Sequence, residues 1–141
     1  MQTQAVVRDL GGRAVFHKQV SSDVELVNIV HAGLPFDSLE YVLKERILSK
    51  EEVLKLVTTQ RSWDRRKASN KLSEEESDKL VRFLRVRAFA HQILGDEDAD
   101  HWLRTPNPLL EDKKPIELLD SDIGTHLVES LIGRIAYGII H

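Results

Sequence analysis

The chain has 141 residues, of which 41% are hydrophobic, and its 20 basic and 23 acidic side chains leave a formal net charge of −3. This apolar content supplies a buried core, which excludes a disordered chain, and the absence of cysteine excludes disulfide frameworks, thiolate metal sites and thiol nucleophiles. No apolar run reaches the roughly 20 residues that cross a bilayer, and residues 1–20 lack the pattern of a signal peptide, so we expect a cytoplasmic protein with no membrane partner.

The first 22 residues show little hydrophobic periodicity. Two adjacent glycines, Gly11 and Gly12, precede a short apolar patch at residues 14–16. A terminus with glycines and without a sustained apolar face is poorly anchored to a core. We therefore interpret residues 1–22 as a flexible arm that holds at most a short strand.

Helical periodicity begins at Asp23, where valines recur every three residues until Gly33, which is placed to end the helix. The predicted inward residues of this helix are Val24, Val27 and Val30. Pro35 suits the first turn of a second helix, which we expect to end near Ile47. Its predicted inward residues are Phe36, Leu39, Val42 and Leu43.

Two capping boxes mark the starts of further helices. Ser49 is followed three residues later by Glu52, and Ser73 is followed three residues later by Glu76. The first box predicts a short helix, and the second predicts a long helix that runs to about Gly95. Apolar residues occupy most of the circumference of the long helix, which indicates that it is buried on more than one side.

A short basic helix is predicted between the helices that begin at Ser49 and Ser73. It begins around Gln60, ends at Asn70 and has Trp63 as its only large apolar residue. The segment from Arg61 to Lys71 carries five basic residues and one acidic residue. Two helices joined by a tight turn, with the second one basic, have the outline of a helix-turn-helix whose second helix enters the major groove of DNA.

In that interpretation the first residues of the basic helix contact base edges and the later ones contact phosphates. The predicted base-contacting residues are Gln60, Arg61 and Ser62, and the predicted phosphate-contacting residues are Arg65, Arg66 and Lys67. A solvated cationic face on an ordinary helix bundle is the open alternative. It is favoured by the turn at Val57 to Thr59, which contains no glycine, and by Lys67, which stands four residues after Trp63, where an apolar residue would anchor the helix.

Prolines interrupt the segment that follows the long helix. We expect a helix from Glu97 to Arg104 and then a loop, because Pro106 and Pro108 forbid a helix there. Thr105 and Asn107 can hydrogen-bond the local backbone, so we predict that this loop braces the domain. Residues 115–119 fit one helical turn.

The last predicted helix begins at Asp120 or Ser121, ends at Tyr137 and carries two adjacent apolar rows. The rows are Ile123, Leu127, Leu131 and Ile135, and Val128, Ile132 and Ala136. Since no segment shows sustained alternation with period two, we predict an all-α fold. Its two helical domains are expected at residues 23–87 and 88–141.

The end of this last helix is a candidate partner surface. Ile139 and Ile140 place two large aliphatic side chains at a chain end, where exposed apolar groups indicate a partner. Arg134 and Tyr137 are residue types that concentrate binding energy in interfaces. The open alternative is that the two isoleucines fold back onto the core of the chain itself.

No motif in the sequence indicates catalysis. Nucleophile elbows, phosphate-binding loops and dinucleotide-binding turns are missing, and no two of the six histidines are four residues apart. The acidic residues 74–76 fall in the first turn of a helix, where they complement its dipole. We therefore predict no catalytic residue, metal or cofactor, and an enzyme is the least favoured class.

Three spaced motifs stand out in the C-terminal half. They are Trp-Leu-Arg-Thr-Pro-Asn-Pro-Leu at 102–109, Lys-Pro-Ile-Glu-Leu-Leu-Asp at 114–120 and Val-Glu-Ser-Leu-Ile-Gly-Arg-Ile-Ala-Tyr-Gly at 128–138. Together they closely resemble the toxin-binding domain of the Xre/MbcA/ParS family of bacterial antitoxins. Leu-Ser-Glu-Glu-Glu-Ser at 72–77 and the basic helix before it resemble the Xre-type helix-turn-helix of that family, so the resemblance covers residues 23–141.

The resemblance implies an all-α type II antitoxin that forms a homodimer within a hetero-oligomeric complex. The implied partner is a RES-domain toxin that degrades NAD⁺ or transfers ADP-ribose from it, and the antitoxin would cover the toxin's NAD⁺ pocket with its C-terminal region. The implied toxin-binding residues are Gly133, Arg134, Tyr137, Gly138, Ile139, Ile140 and His141.

The resemblance also implies that the helix-turn-helix binds operator DNA of the antitoxin's own operon and represses it. The family tends to have glycine near position 57 and an apolar residue at position 67, so Val57 and Lys67 depart from its pattern. The alternative function is a stand-alone dimeric helix-turn-helix transcriptional regulator.

Overall fold

The computed structural model describes residues 2–138, which contain no strand, and this confirms the all-α prediction. The helices of the described range are α1 Thr3–Asp9, α2 Gly12–Phe16, α3 Asp23–Ala32, α4 Phe36–Lys44, α5 Lys50–Leu56, α6 Gln60–Ser69, α7 Glu74–Leu94, α8 Asp96–Leu103 and α9 Asp122–Ala136, with 3₁₀ turns at Pro108–Leu110 and Pro115–Leu118. Within this range no helix is both long and apolar enough to span a membrane. The chain divides into two compact units, Met1–Val81 and Arg82–His141.

The N-terminal residues are helical and packed, so the prediction of a flexible arm with a short strand is wrong. Val6 and Leu10 are fully buried. Helices α1 and α2 meet at Gly11, whose φ of 109° is left-handed and whose Cβ, if it had one, would lie 2.2 Å from Val15 Cγ2. The signal that we misread is the pair Val6 and Leu10, which are four residues apart and lie on one face of a short helix.

Helix α3 begins and ends where predicted but buries a different face. Leu26 is 1% exposed, whereas Val24 and Val27 are 68% and 46% exposed. Because apolar residues occupy most sides of this helix, their spacing does not identify the inward side. The predicted helix end is confirmed: Gly33 has a φ of 94°, and a Cβ there would lie 2.3 Å from the Leu72 carbonyl oxygen.

Helix α4 supplies buried side chains to the first unit. Of the predicted inward residues, Phe36, Leu39 and Val42 are at most 1% exposed, whereas Leu43 is half-buried. The helix ends at Lys44 rather than near Ile47, because Arg46 takes a left-handed conformation with a φ of 57°. A residue in that conformation cannot continue a right-handed helix.

In the second unit, α9 packs closely on the 3₁₀ turn Pro115–Leu118, which confirms the predicted helical turn. A Cβ at Gly124 would lie 1.9 Å from the Leu118 carbonyl oxygen, so only glycine permits this approach. Val128 and Ile132, from one of the two predicted rows, are fully buried. Leu131 from the other row is also buried, whereas Ala136 is exposed, so the buried face of α9 takes residues from both rows.

Candidate functional site

In the first unit, α5, a turn at residues 57–59 and α6 form the predicted pair of helices. Both predicted capping boxes are present. The Ser49 N–H donates to Glu52 at 3.0 Å and the Glu52 N–H donates to Ser49 Oγ at 3.1 Å. The Ser73 N–H donates to Glu76 at 2.8 Å and the Glu76 N–H donates to Ser73 Oγ at 3.1 Å. The starts of α5 and α7 are therefore fixed locally.

Helix α6 also begins and ends as predicted. The Thr59 hydroxyl accepts a backbone N–H at its start, and Asn70 ends it with a left-handed φ of 55°. Trp63 anchors the helix against α4, because its ring meets the ring of Phe36 edge-on with 5.3 Å between centroids. The Lys50 Nζ lies 5.0 Å from the centroid of the Trp63 ring, so a cation–π contact adds to this anchor.

The two departures from the helix-turn-helix pattern have local explanations. Val57 is 3% exposed and has a φ of −118°, so the turn requires no left-handed residue and hence no glycine. Lys67 is exposed, and Trp63 supplies the buried anchor of α6. Neither departure distorts the pair of helices.

Glu76 connects the turn, α6 and the start of α7. Its carboxylate accepts hydrogen bonds from the Thr58 hydroxyl, from Arg66 Nε at 2.7 Å and from the Ser73 N–H at 2.8 Å. Burial alone would raise the pKa of Glu76, but these hydrogen bonds outweigh burial and hold the pKa below its ordinary value. A charged carboxylate on a side chain that is 9% exposed thus fixes the geometry of the turn.

The predicted DNA-contacting residues fall into two groups, those engaged by neighbouring side chains and those exposed to solvent. Arg66 Nε is engaged by Glu76 at 2.7 Å, which gives Arg66 a structural role, and its phosphate contact stays a prediction. Arg61 and Arg65 lie on the side of α6 opposite the buried Trp63, because they stand two residues before and after it. Ser62 is half-buried and accepts from Arg65 Nη2 at 3.3 Å. The exposed members of the set are Gln60, Arg61, Arg65 and Lys67.

In the second unit, α9 turns the other part of its apolar surface outward. Ile123 and Leu127 are 77% and 52% exposed. Ser130, Arg134 and Tyr137 continue the same face, because they follow at spacings of three and four residues, and all of them are exposed. We call these five residues the α9 stripe.

The implied toxin-binding residues that the structure describes fall at the end of α9. Arg134 is exposed, Tyr137 is 84% exposed, and Gly138 follows the helix with a φ of 71°. Gly133 lies inside the helix, and a Cβ there would have no neighbour within 4 Å. Packing among the described residues therefore does not require glycine at this position. The predicted residues Ile139, Ile140 and His141 lie outside the described residues.

The predicted hydrogen bonds of Thr105 and Asn107 to the local backbone are present in the proline-containing loop. The Thr105 hydroxyl donates to the His101 carbonyl at 2.6 Å, and the Asn107 side-chain oxygen accepts from the Leu109 N–H at 2.9 Å. Beside this loop lies a cavity of about 300 Å³ that we did not predict. Its lining comes from α7, α8, a 3₁₀ turn and α9, so no local sequence pattern could indicate it.

Metal binding has no support in the part of the chain that the structure describes. No three His, Asp or Glu side chains within it are grouped so that they could hold a metal ion. The candidate functional features are two surfaces. They are the cationic helix α6 in the first unit and the α9 stripe in the second. Exposed apolar patches and clusters of like charge are typical of surfaces that contact partners.

Two family models match the chain, and each covers one of these surfaces. The antitoxin Xre-like helix-turn-helix domain matches residues 25–85, which include α6. The antitoxin Xre/MbcA/ParS C-terminal toxin-binding domain matches residues 89–138, which include α9.

Three similar proteins carry the name Antitoxin Xre. The one from Photorhabdus laumondii subsp. laumondii is 33% identical over 85% of this chain and 84% of its own length. The one from Yersinia enterocolitica is 29% identical over 98% of this chain and 92% of its own. The one from Pseudomonas putida is 25% identical over 85% of this chain and 76% of its own.

Proposed function

The chain belongs to the Xre/MbcA/ParS family of antitoxins, and we propose that it neutralises a RES-domain toxin by covering the toxin's NAD⁺ pocket with its C-terminal region. The family consists of non-enzymatic regulators with a helix-turn-helix and a toxin-binding domain. In the proposal the toxin consumes NAD⁺ in the cytoplasm, either by degrading it or by transferring ADP-ribose, and the antitoxin acts as a homodimer within a hetero-oligomeric complex.

The observation that carries this proposal is the exposed α9 stripe. Leu127, Arg134 and Tyr137 present an apolar, a cationic and an aromatic group on one face, and such groups concentrate binding energy. A guanidinium can bind a carboxylate through two parallel hydrogen bonds, so Arg134 can pair with an acidic residue of the toxin. Gly133 beside Arg134 leaves room for the backbone of a partner to approach.

An NAD⁺-consumption assay tests the proposal. We expect the chain to co-purify with the product of the gene adjacent to its own, and the complex to leave NAD⁺ intact. The partner stripped of this chain and refolded is expected to consume NAD⁺, and adding the purified chain back should restore inhibition. If nothing co-purifies while DNA is bound tightly, the chain is a stand-alone dimeric regulator and not a toxin inhibitor.

We propose further that α6 binds operator DNA and represses the operon of this chain. Arg61 and Arg65 form an exposed cationic face on the side away from Trp63, and Gln60 stands at the helix N-terminus, where residues reach base edges. Lys67 is exposed and can contact phosphate. The hydrogen bonds of Glu76 hold the turn that positions this helix.

Replacing Arg65 with alanine is expected to weaken binding to the DNA upstream of the gene by about 10-fold at 0.1 M salt. Removing one phosphate contact should also lower the slope of log affinity against log salt by about one. Lys55→Ala is the matched control, because Lys55 is a 74% exposed cation on α5 that pairs with Glu51. Fluorescence anisotropy over a salt series measures both quantities. An unchanged slope for Arg65→Ala contradicts the assignment of this face to DNA.

A further inference from the structure

The cavity beside the proline-containing loop is an apolar groove. It has a volume of about 300 Å³, and six of its lining side chains are apolar, among them Trp102, Leu109 and Ile135. Its remaining lining residue is Asn107, whose side-chain oxygen is already engaged by the Leu109 N–H at 2.9 Å. The groove thus offers space and apolar surface without a charged group, which suits an aliphatic or aromatic side chain.

The loop that carries Leu109 is held in place before any partner binds. The Asp112 N–H donates to the Asn107 carbonyl at 3.0 Å. Leu110 is 9% exposed and anchors the loop, whereas Leu109 beside it is 59% exposed. Glu111 and Asp112 have φ values of 55° and 64°, which residues other than glycine rarely adopt. Glu111 ends the 3₁₀ turn Pro108–Leu110 in this conformation, as Asn70 ends α6.

We infer that this groove is a second toxin contact, which receives an aliphatic or aromatic side chain of the toxin with Leu109 as its rim. The inference rests on the proposed function, because it takes the toxin as the partner. All lining residues of the groove fall within residues 89–138, the segment matched by the toxin-binding domain. Ile135 lines the groove and is adjacent in sequence to Arg134 of the α9 stripe, so one binding surface can include both. A preformed rim loses little conformational freedom on binding.

Site-directed crosslinking tests this contact, because the chain has no cysteine and Leu109→Cys therefore creates a unique label site. The variant, carrying a benzophenone maleimide, is illuminated in complex with the product of the adjacent gene. We expect a crosslink to that protein at an apolar segment, identified by mass spectrometry. Val24→Cys is the matched control, since Val24 is 68% exposed but lies outside the toxin-binding domain, and it should give no crosslink.

Affinity supplies the second readout. Leu109→Ser is expected to weaken the complex about 10-fold or more with an unchanged melting temperature, and Val24→Ser is expected to leave the affinity unchanged. If the wild-type chain does not bind the product of the adjacent gene, both the proposed function and this inference fail. If the wild type binds and inhibits but Leu109→Ser binds equally well, the groove proposal is overturned and the proposed function stands. A crosslink only to a second copy, or only to residues 139–141, overturns it as well.

Discussion

Replacing Glu76 with glutamine is expected to lower the free energy of unfolding by about 3 kcal/mol at pH 7 and the melting temperature by about 10 °C. Glutamine keeps the size of the side chain but removes its charge, so Arg66 would lie as a largely buried cation beside a neutral amide. The glutamine side chain also has a donor NH₂ group in place of one acceptor oxygen of the carboxylate, and this NH₂ group would face another donor. At least one of the hydrogen bonds from Thr58, Arg66 and Ser73 is then lost.

The effect of Glu76→Gln depends on pH in a defined direction. Burial raises the pKa of Glu76, but hydrogen bonds outweigh it and the folded-state pKa lies below the ordinary value of 4.5. A carboxyl group whose pKa is lowered by folding stabilises the fold above its unfolded pKa, and this stabilisation is lost as the pH falls through the folded pKa. The difference in stability between the wild type and Glu76→Gln should therefore stay constant from neutral pH to about pH 5 and shrink at lower pH.

Glu75 supplies the matched control for this prediction. It also lies in the first turn of α7, but its side chain is 80% exposed and pairs with Lys79 at 3.3 Å. Glu75→Gln is expected to change the free energy of unfolding by less than about 0.5 kcal/mol. Urea unfolding is followed by Trp63 fluorescence in a Trp102→Phe background, so that the signal reports the unfolding of the first unit. Equal losses for the two variants would show that Glu76 contributes no more than an exposed acidic residue at a helix start.

The features that the sequence predicted correctly depend on residues close together in the chain. The capping boxes at Ser49 and Ser73 join groups three residues apart, and the end of α6 depends on the conformation of Asn70. Each signal is complete within one turn of helix, so it can be recognised before the fold is known. The all-α fold follows from the same signals together with hydrophobic periodicity.

The features that it did not predict depend on residues distant in the chain. Arg66 looked like a free cation, because its partner Glu76 lies in another helix, beyond the end of α6. Val6 and Leu10 are buried by contacts that a short amphipathic segment does not reveal, and the groove at Leu109 exists only where several elements meet. Charge and apolarity can be read from sequence, but whether a group faces solvent is decided by tertiary packing.

Replacing Gly133 with glutamine is expected to stabilise the free antitoxin and to weaken toxin binding by about 100-fold. Glycine inside a helix is less favourable than a good helix former by about 0.5–1 kcal/mol. A Cβ at Gly133 would have no neighbour within 4 Å, so this gain is not offset by a clash. In the complex the longer side chain would fill the space that we assign to the toxin's backbone. Calorimetric titration of the toxin and thermal unfolding of the free chain measure the two effects.

The opposite signs of these two effects make the test specific to the interface. A substitution that weakens binding by unfolding the antitoxin must lower its melting temperature, whereas Gly133→Gln should raise it. His126→Gln is the control, because His126 is exposed and lies on the same face of α9 as Gly133, about two turns nearer the start of the helix. If Gly133→Gln raises the melting temperature and still binds with wild-type affinity, the end of α9 does not enter the toxin pocket. The toxin must then be bound through another surface of residues 89–138.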